Sequence, residues 1–170
     1  LIPAVAYGLR GRRSSLRGKV IQFARGTVWL YRDPRRDRAK IEDFDVERYA
    51  LTVSSNLDAY FEANLWAEVV WRSHASGIVD DRVYRLLTHA LNYLEGDPLR
   101  AFDITTIVLW RYLEMLGVQP DVNYCARSGR VFRSDESRFF DPTEGAFVGS
   151  EWAEARMPET NGGAARFLAL

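Results

Sequence analysis

The residues best equipped for chemistry in this chain are cations. Arg10, Arg12, Arg13, Arg17 and Lys19 crowd the stretch from Gly8 to Lys19, and Arg35, Arg36 and Arg38 form a second cluster. Groups of this kind neutralise successive phosphates of a polyanion and release its condensed counterions, which gives sequence-independent affinity that falls steeply with salt. Their local weight is large. Residues 1–40 hold eleven Lys/Arg against Asp33 and Asp37, a net +9, and because the whole chain balances 23 basic against 23 acidic residues, positions 41–170 carry −9. A neutral total therefore hides two segments of opposite sign, which is a statement about partners rather than about fold. The bland alternative is a solvated surface run. Nine net charges within forty residues, with Tyr7, Phe23, Trp29 and Tyr31 nearby as stacking faces, favour nucleic acid over it. Each aromatic taken singly is better read as packing, since alternate strand positions usually face a core. The reading requires the cations to face solvent, on one strand-built surface, without carboxylate partners.

Other constellations offer less. His74 and His89 fall on helical stretches with no Ser or Cys at a spacing that implies a nucleophile. Asp80-Asp81 could hold a metal, but its position at a helix start favours capping. No G-x-x-x-x-G-K-[ST] run is present to cradle a nucleotide triphosphate. Cys125-Ala-Arg-Ser128 and Gly149-Ser-Glu-Trp152 stand where a zinc ribbon carries its two C-x-x-C pairs, yet Ser, Gly and Trp cannot supply three of the four donors. Cys125 is expected to be a small buried hydrophobe. Neither catalysis, nor a metal, nor a cofactor is predicted.

The elements that position these groups change character near residue 50. Residues 2–7 read as a short strand ended by Gly8, and the basic loop follows on Gly- and Ser-interrupted backbone. Lys19 to Tyr31 predicts two strands turning at Arg25-Gly26-Thr27, and Ala39 to Val46 another, so residues 1–48 are expected to form part of a small barrel. From there the period is helical. Ser55 with Asp58 has the form of a capping box, and Leu57, Phe61, Leu65 and Val69 recur at four-residue spacing as an apolar face up to Gly77. Asp80 or Asp81 caps a second helix with Val83, Leu87, Ala90, Leu91 and Leu94 on one face and Gly96 at its end. A third opens at Asp97-Pro98 and stops before Gly117. Its residues Phe102, Ile107, Val108, Leu109, Trp110, Leu113, Met115 and Leu116 cover most of the circumference, which predicts the central helix of a bundle and leaves Arg111 and Glu114 needing water or a partner. Beyond it, Val131-Phe132, Arg138-Phe139-Phe140 and Ala146-Phe147-Val148 read as short strands, the last two joined by the turn Asp141–Gly145. Ala153 to Arg156 reads as a helical turn, Pro158 to Gly163 as a loop, and Ala164 onward as the start of a helix.

A chain of 170 residues that is 47% hydrophobic and 13% aromatic can bury a real core, as one domain or two small ones. The most apolar run, Ile104 to Trp110, is far shorter than the roughly 18–20 residues a bilayer span needs. A single cysteine excludes an internal disulfide and fits a reducing compartment. From the opening at Leu1, with no initiator Met and no charged leader, an internal piece of something longer is expected.

Three stretches together resemble the bacterial recombination mediator family RecO. They are Val5-Ala-Tyr-Gly-Leu-Arg10 with Ser15-Leu-Arg-Gly-Lys-Val-Ile-Gln-Phe23; Leu113-Glu-Met-Leu-Gly-Val-Gln-Pro-Asp121 with Cys125-Ala-Arg-Ser-Gly-Arg130; and Phe139-Phe-Asp-Pro-Thr-Glu-Gly145. Two departures stand out: Ile21-Gln22 replaces the usual Gln-Pro, and three of the family's four cysteine positions are substituted, so zinc does not carry over. The resemblance implies an α+β chain, with a partial N-terminal OB-fold β-barrel over 1–48 and an α-helical domain over 49–170. Within the latter it implies a degenerate zinc-finger-like β-hairpin insertion at 121–152. The family's opening strands would precede Leu1 and its tail would follow Leu170. It further implies a non-enzymatic DNA repair and recombination mediator that is cytoplasmic and nucleoid-associated. Such a protein binds single- and double-stranded DNA, anneals complementary strands, contacts RecR and the C-terminal tail of single-strand DNA-binding protein, and helps load RecA. The expected DNA-binding residues are the eight cations named above. Two rival readings use the same charge: a basic adaptor that docks an acidic protein partner, and an RNA-binding barrel without annealing activity.

Overall fold

The computed structural model describes residues 2–9, 11, 14–32, 39–74 and 80–168, with side chains through Ala165. The chain is α+β and divides into two compact units, Leu1–Leu109 and Trp110–Leu170.

The first unit opens on a three-stranded sheet. β1 (Ala4–Val5) pairs parallel with β3 (Ala39–Arg48), and β3 pairs antiparallel with β2 (Arg25–Arg32), so β3 is central and β2 forms an edge. Side chains opposite one another in the ladder share a face. Val28 lies opposite Phe44 and Leu30 opposite Ile41, so the face holding buried Phe44 is the apolar one, while Trp29 opposite Asp43 and Tyr31 opposite Lys40 take the other. The strand predicted at Lys19–Ala24 does not form, and Arg25-Gly26-Thr27 is the start of β2 rather than a turn. The cause is Phe23, whose φ of +60° turns the chain so that its ring packs on the helical core, edge-on to Tyr60 at 6.2 Å. Gly26 sits at a register shift, and a Cβ there would overlap the Asp45 carbonyl oxygen of β3.

Four helices follow: α1 (Leu51–Ser55), α2 (Leu57–Ser73), α3 (Asp81–Gly96) and, after a 3₁₀ turn at Pro98–Arg100, α4 (Ala101–Leu116), which runs through the division between the units. Asn56, not Ser55, caps α2, its side chain accepting from the Ala59 N–H at 3.0 Å. Ser55 instead closes α1, donating to the Thr52 carbonyl. The predicted stripe on α2 is also displaced. Leu57, Phe61 and Leu65 are exposed, and the buried face is Ala59, Ala63, Trp66 and Val70. Trp66 decides this, because its ring is 1% exposed and its indole N–H must be satisfied, which it is by the Thr105 hydroxyl of α4 at 2.7 Å. The two alanines then let neighbouring backbones approach.

α3 behaves as its pattern predicts. Asp80 is the N-cap, accepting from the Arg82 N–H, and Val83, Ala90, Leu91 and Leu94 are buried. α4 is amphipathic rather than central: Ala101, Thr105, Val108 and Tyr112 are buried, but Phe102, Ile107 and Leu116 are exposed. Arg111 and Glu114 pair with each other at 3.1 Å, one turn apart.

The second unit is built on a sheet ordered β5-β4-β6, from β4 (Arg138–Asp141), β5 (Ala146–Val148) and β6 (Glu159–Thr160), all antiparallel, and closes with α5 (Gly162–Leu168). Val131 makes only an isolated bridge to Tyr124, β6 replaces part of the predicted loop, and the helical turn expected at Ala153–Arg156 does not form, a 3₁₀ turn at Ser150–Trp152 standing just before it. Asp141 accepts from the Thr143 and Glu144 N–H groups at the hairpin turn, and Gly145 supplies φ +63°. The core is Val122, Cys125, Phe132, Phe147, Val148 and Met157. No helix among the described residues is long and apolar enough to cross a membrane.

Candidate nucleic-acid interface

From Ser14 to Ala24 the basic loop and the stretch that follows it form a chain of tight turns closed by Arg17 N–H to Ser14 O (3.2 Å), Lys19 N–H to Leu16 O (3.1 Å) and Ala24 N–H to Ile21 O (3.2 Å). Two apolar anchors bracket it. Leu16 is 4% exposed, and Phe23 is packed on the helical core. Between them, the Gln22 side chain donates to the Asn64 side chain and accepts from the Tyr60 hydroxyl at 2.7 Å, both on α2. Loop order here comes from side chains reaching across, not from a strand ladder.

Arg17 is exposed. Lys19 reaches the sheet and pairs with Asp43 at 3.1 Å, so it is not free of a carboxylate. The Phe44 backbone N–H and then Lys19 hold Asp43 below the usual carboxylate range. This ion pair seats the loop on the sheet face that carries Trp29 and Tyr31. Arg10, Arg12, Arg13, Arg35, Arg36 and Arg38 lie outside the described residues.

The other cations of the opening segment divide. Arg25 is turned inward, with its guanidinium donating to Thr88 O (3.1 Å), Asn92 (2.8 Å) and Glu95 (3.2 Å) of α3. Arg48 joins the same Glu95 at 3.1 Å, and Lys40 pairs with Glu42 at 2.7 Å. Arg32 is exposed at the end of β2. The requirement that the cations lack carboxylate partners therefore fails for Arg25, Lys19 and Lys40 and fits Arg17 and Arg32 among the described residues. Of the aromatics, Tyr7, Trp29 and Tyr31 are exposed, and Phe23 is packing.

A second concave feature lies in the first unit, between α3 and the start of α4. It is a cleft of 410 Å³ with Leu86, Ala90, Ile104, Ile107 and Val108 as apolar walls, and with His89, Asp97, Arg100 and Asp103 at its rim. Arg100 is half-released, held only by an exposed pair to Asp103 at 3.3 Å. The sequence reading missed it. The available signal was Ile107, exposed beside the half-buried Leu86 and Ile104 that edge the core.

In the second unit Cys125 is fully buried. Burial pushes its thiol pKa up, but hydrogen bonds from the Ser128 hydroxyl and from the N–H groups of Ser128, Gly149 and Arg127 outweigh it and bring the thiol below its ordinary value. The turn at Cys125–Ser128 and the backbone at Gly149 thus converge on one sulfur. At the remaining position, Trp152 packs under the Arg127 guanidinium at 5.6 Å, and Arg127 also reaches Asp141 (3.0 Å) and Glu144 (3.2 Å). Among the described residues no cluster of three or more His, Cys, Asp or Glu side chains is placed to hold a metal ion.

Compared with known families, residues 54–168 match the one described as Recombination protein O C terminal. No curated protein matches the chain significantly.

Proposed function

The chain belongs to the recombination protein O family, with a role in DNA recombination and repair, and on that premise we propose that it is a mediator acting by binding rather than by bond chemistry. It holds single- and double-stranded DNA, anneals complementary strands, and helps load RecA on DNA covered by single-strand DNA-binding protein, with RecR as a further partner. The observation that carries this reading is charge segregation, +9 over residues 1–40 against −9 over the remainder. A cationic surface screens two phosphate backbones as they approach and so lowers the electrostatic cost of annealing. In this reading residues 1–48 are part of an OB barrel, consistent with β1 pairing parallel and β2 antiparallel to β3. Residues 49–170 are the helical domain and 121–152 the zinc-ribbon-like insertion.

Arg10, Arg12, Arg13, Arg17, Lys19, Arg35, Arg36 and Arg38 are the proposed phosphate contacts, Lys19 by exchanging its exposed pair with Asp43 for a phosphate. Replacing Arg10, Arg12, Arg13 and Arg17 with Ala should weaken binding to any DNA sequence. It should also flatten the dependence of log K on log salt by about 3 on single strands, at about 0.7 per lost phosphate contact. Unchanged affinity and slope refute the proposal.

The α3–α4 cleft supports docking of the acidic tail of single-strand DNA-binding protein. Its walls take apolar side chains, and Arg100, whose exposed pair with Asp103 is cheap to exchange, takes a carboxylate at the positive end of α4. A labelled tail peptide should bind the chain and lose that binding on Ile107→Glu, and DNA should not displace it. Displacement by DNA would place both ligands on one surface.

A further inference from the structure

The sheet's edge strand carries an aromatic pair that its packing does not use. Trp29 and Tyr31 are two residues apart on β2, so both project from one face, and they are 50% and 59% exposed. That face is opposite to the one holding Phe44, which is 6% exposed, so neither ring is a core residue left partly uncovered. Across the ladder the pair faces Asp43 and Lys40. Asp43 is the residue that receives Lys19 from the basic loop, which brings the loop alongside Trp29. Flat apolar rings flanked by cations are the arrangement that unpaired bases recognise, because every base offers a π-face to stack and every linking phosphate offers a charge.

We propose that Trp29 and Tyr31 form a stacking platform for the unpaired bases of single-stranded nucleic acid, with Lys19 and Lys40 beside it meeting the linking phosphates. The inference rests on the DNA-binding reading above and adds to it a division of labour: phosphate contacts serve single strands and duplexes alike, whereas the platform serves only bases free of a duplex. Lys19 and Lys40 are each paired to a carboxylate of the same patch, Asp43 at 3.1 Å and Glu42 at 2.7 Å, and because both pairs are exposed an arriving phosphate exchanges for the carboxylate at little cost.

The experiment uses the whole chain and three probes of equal length: an oligo-dT strand, an abasic deoxyribose-phosphate strand and a duplex. Stacking on one ring is worth roughly five- to 150-fold in affinity. Trp29→Leu/Tyr31→Leu, which keeps apolar strand formers on β2, should therefore bind oligo-dT at least about tenfold more weakly. Abasic and duplex affinities and the salt slope should stay as in the parent. Trp29→Phe/Tyr31→Phe should restore oligo-dT binding, which a purely structural role for the bulk would not require. Oligo-dT affinity unchanged in the Leu variant, or an equal loss on all three probes, overturns the platform alone. A parent chain that binds none of the probes overturns the DNA-binding reading, and the platform with it.

Discussion

Glu95 on α3 holds two guanidinium groups from the sheet, and its replacement by Leu is the sharpest test of how the strand module is fixed. Arg25 and Glu95 are mostly buried, with side chains 10% and 12% exposed, and Arg25 Nε has no partner even in the intact pair. Removing one member of such a pair strands the other charge, at a cost of about 3–5 kcal/mol. Arg25 keeps its bonds to Asn92 and to the Thr88 carbonyl, which places Glu95→Leu at the lower end, ~3 kcal/mol. Arg48 adds little, because its side chain is 57% exposed. With a urea m-value of about 2 kcal/mol/M, the unfolding midpoint should fall by ~1.5 M. Arg25→Met should cost somewhat less, because Glu95 keeps Arg48 at 3.1 Å, whereas Arg25→Met/Glu95→Leu, which leaves only the exposed Arg48 without its partner, should return most of the loss of Glu95→Leu. Urea unfolding followed by far-ultraviolet circular dichroism reads all three. A single substitution costing under about 1 kcal/mol, or a double variant as unstable as the sum of its parents, would show that burial here does not set the energy.

Further outcomes follow from other contacts. The Arg130 guanidinium, then the Arg133 N–H, bring Glu136 from its ordinary 4.5 to about 2. Because the folded value is the lower one, Glu136 contributes stability above pH 4.5 that is lost as pH falls toward 2, and Glu136→Gln should remove that part of the acid dependence in a melting series. Gly26→Ala, whose Cβ would overlap the Asp45 carbonyl oxygen, should cost about 3 kcal/mol, against about 1 kcal/mol for Gly18→Ala, where φ is +76° but the space is open. Equal costs in thermal melts would reject the clash. Cys125→Ala leaves the Ser128, Gly149 and Arg127 donors without an acceptor and should cost about 1–3 kcal/mol. Chelator should leave the parent's melt unchanged, and a chelator-sensitive transition would contradict this account of the cysteine turn.

What was legible in the sequence was what depends on local chemistry. Asp80 caps the start of α3 as its side chain dictates, and the Asp141–Gly145 turn joins β4 and β5 through the side-chain bonds an Asp makes there; Gly96 does end α3, but as its last helical residue, with Asp97 as the cap. What was not legible depends on which side of an element finds a partner. On α2 the four-residue spacing of Leu57, Phe61 and Leu65 is a genuine pattern, yet the buried line is Ala59, Ala63, Trp66 and Val70, because one indole with a distant hydroxyl outweighs two leucines and a phenylalanine. The apolar run Val20, Ile21, Phe23 reads as a strand until Phe23 is seen to point into a helical core. Of the cations, spacing could place Arg17 on a loop, but it could not foresee that Arg25 meets Glu95, seventy residues away in sequence.

The paired anchors of the basic loop have a consequence for speed as well as for strength. With Leu16 sunk in the protein and Gln22-Phe23 fastened to α2, the intervening span has met its ordering cost during folding, so little remains to be lost when an anion arrives. On the DNA-binding reading proposed above, preorganised cations would capture a strand on first encounter instead of wrapping it afterward. On that reading a loop of equal charge cut free from those two anchors would still attract DNA but release it sooner.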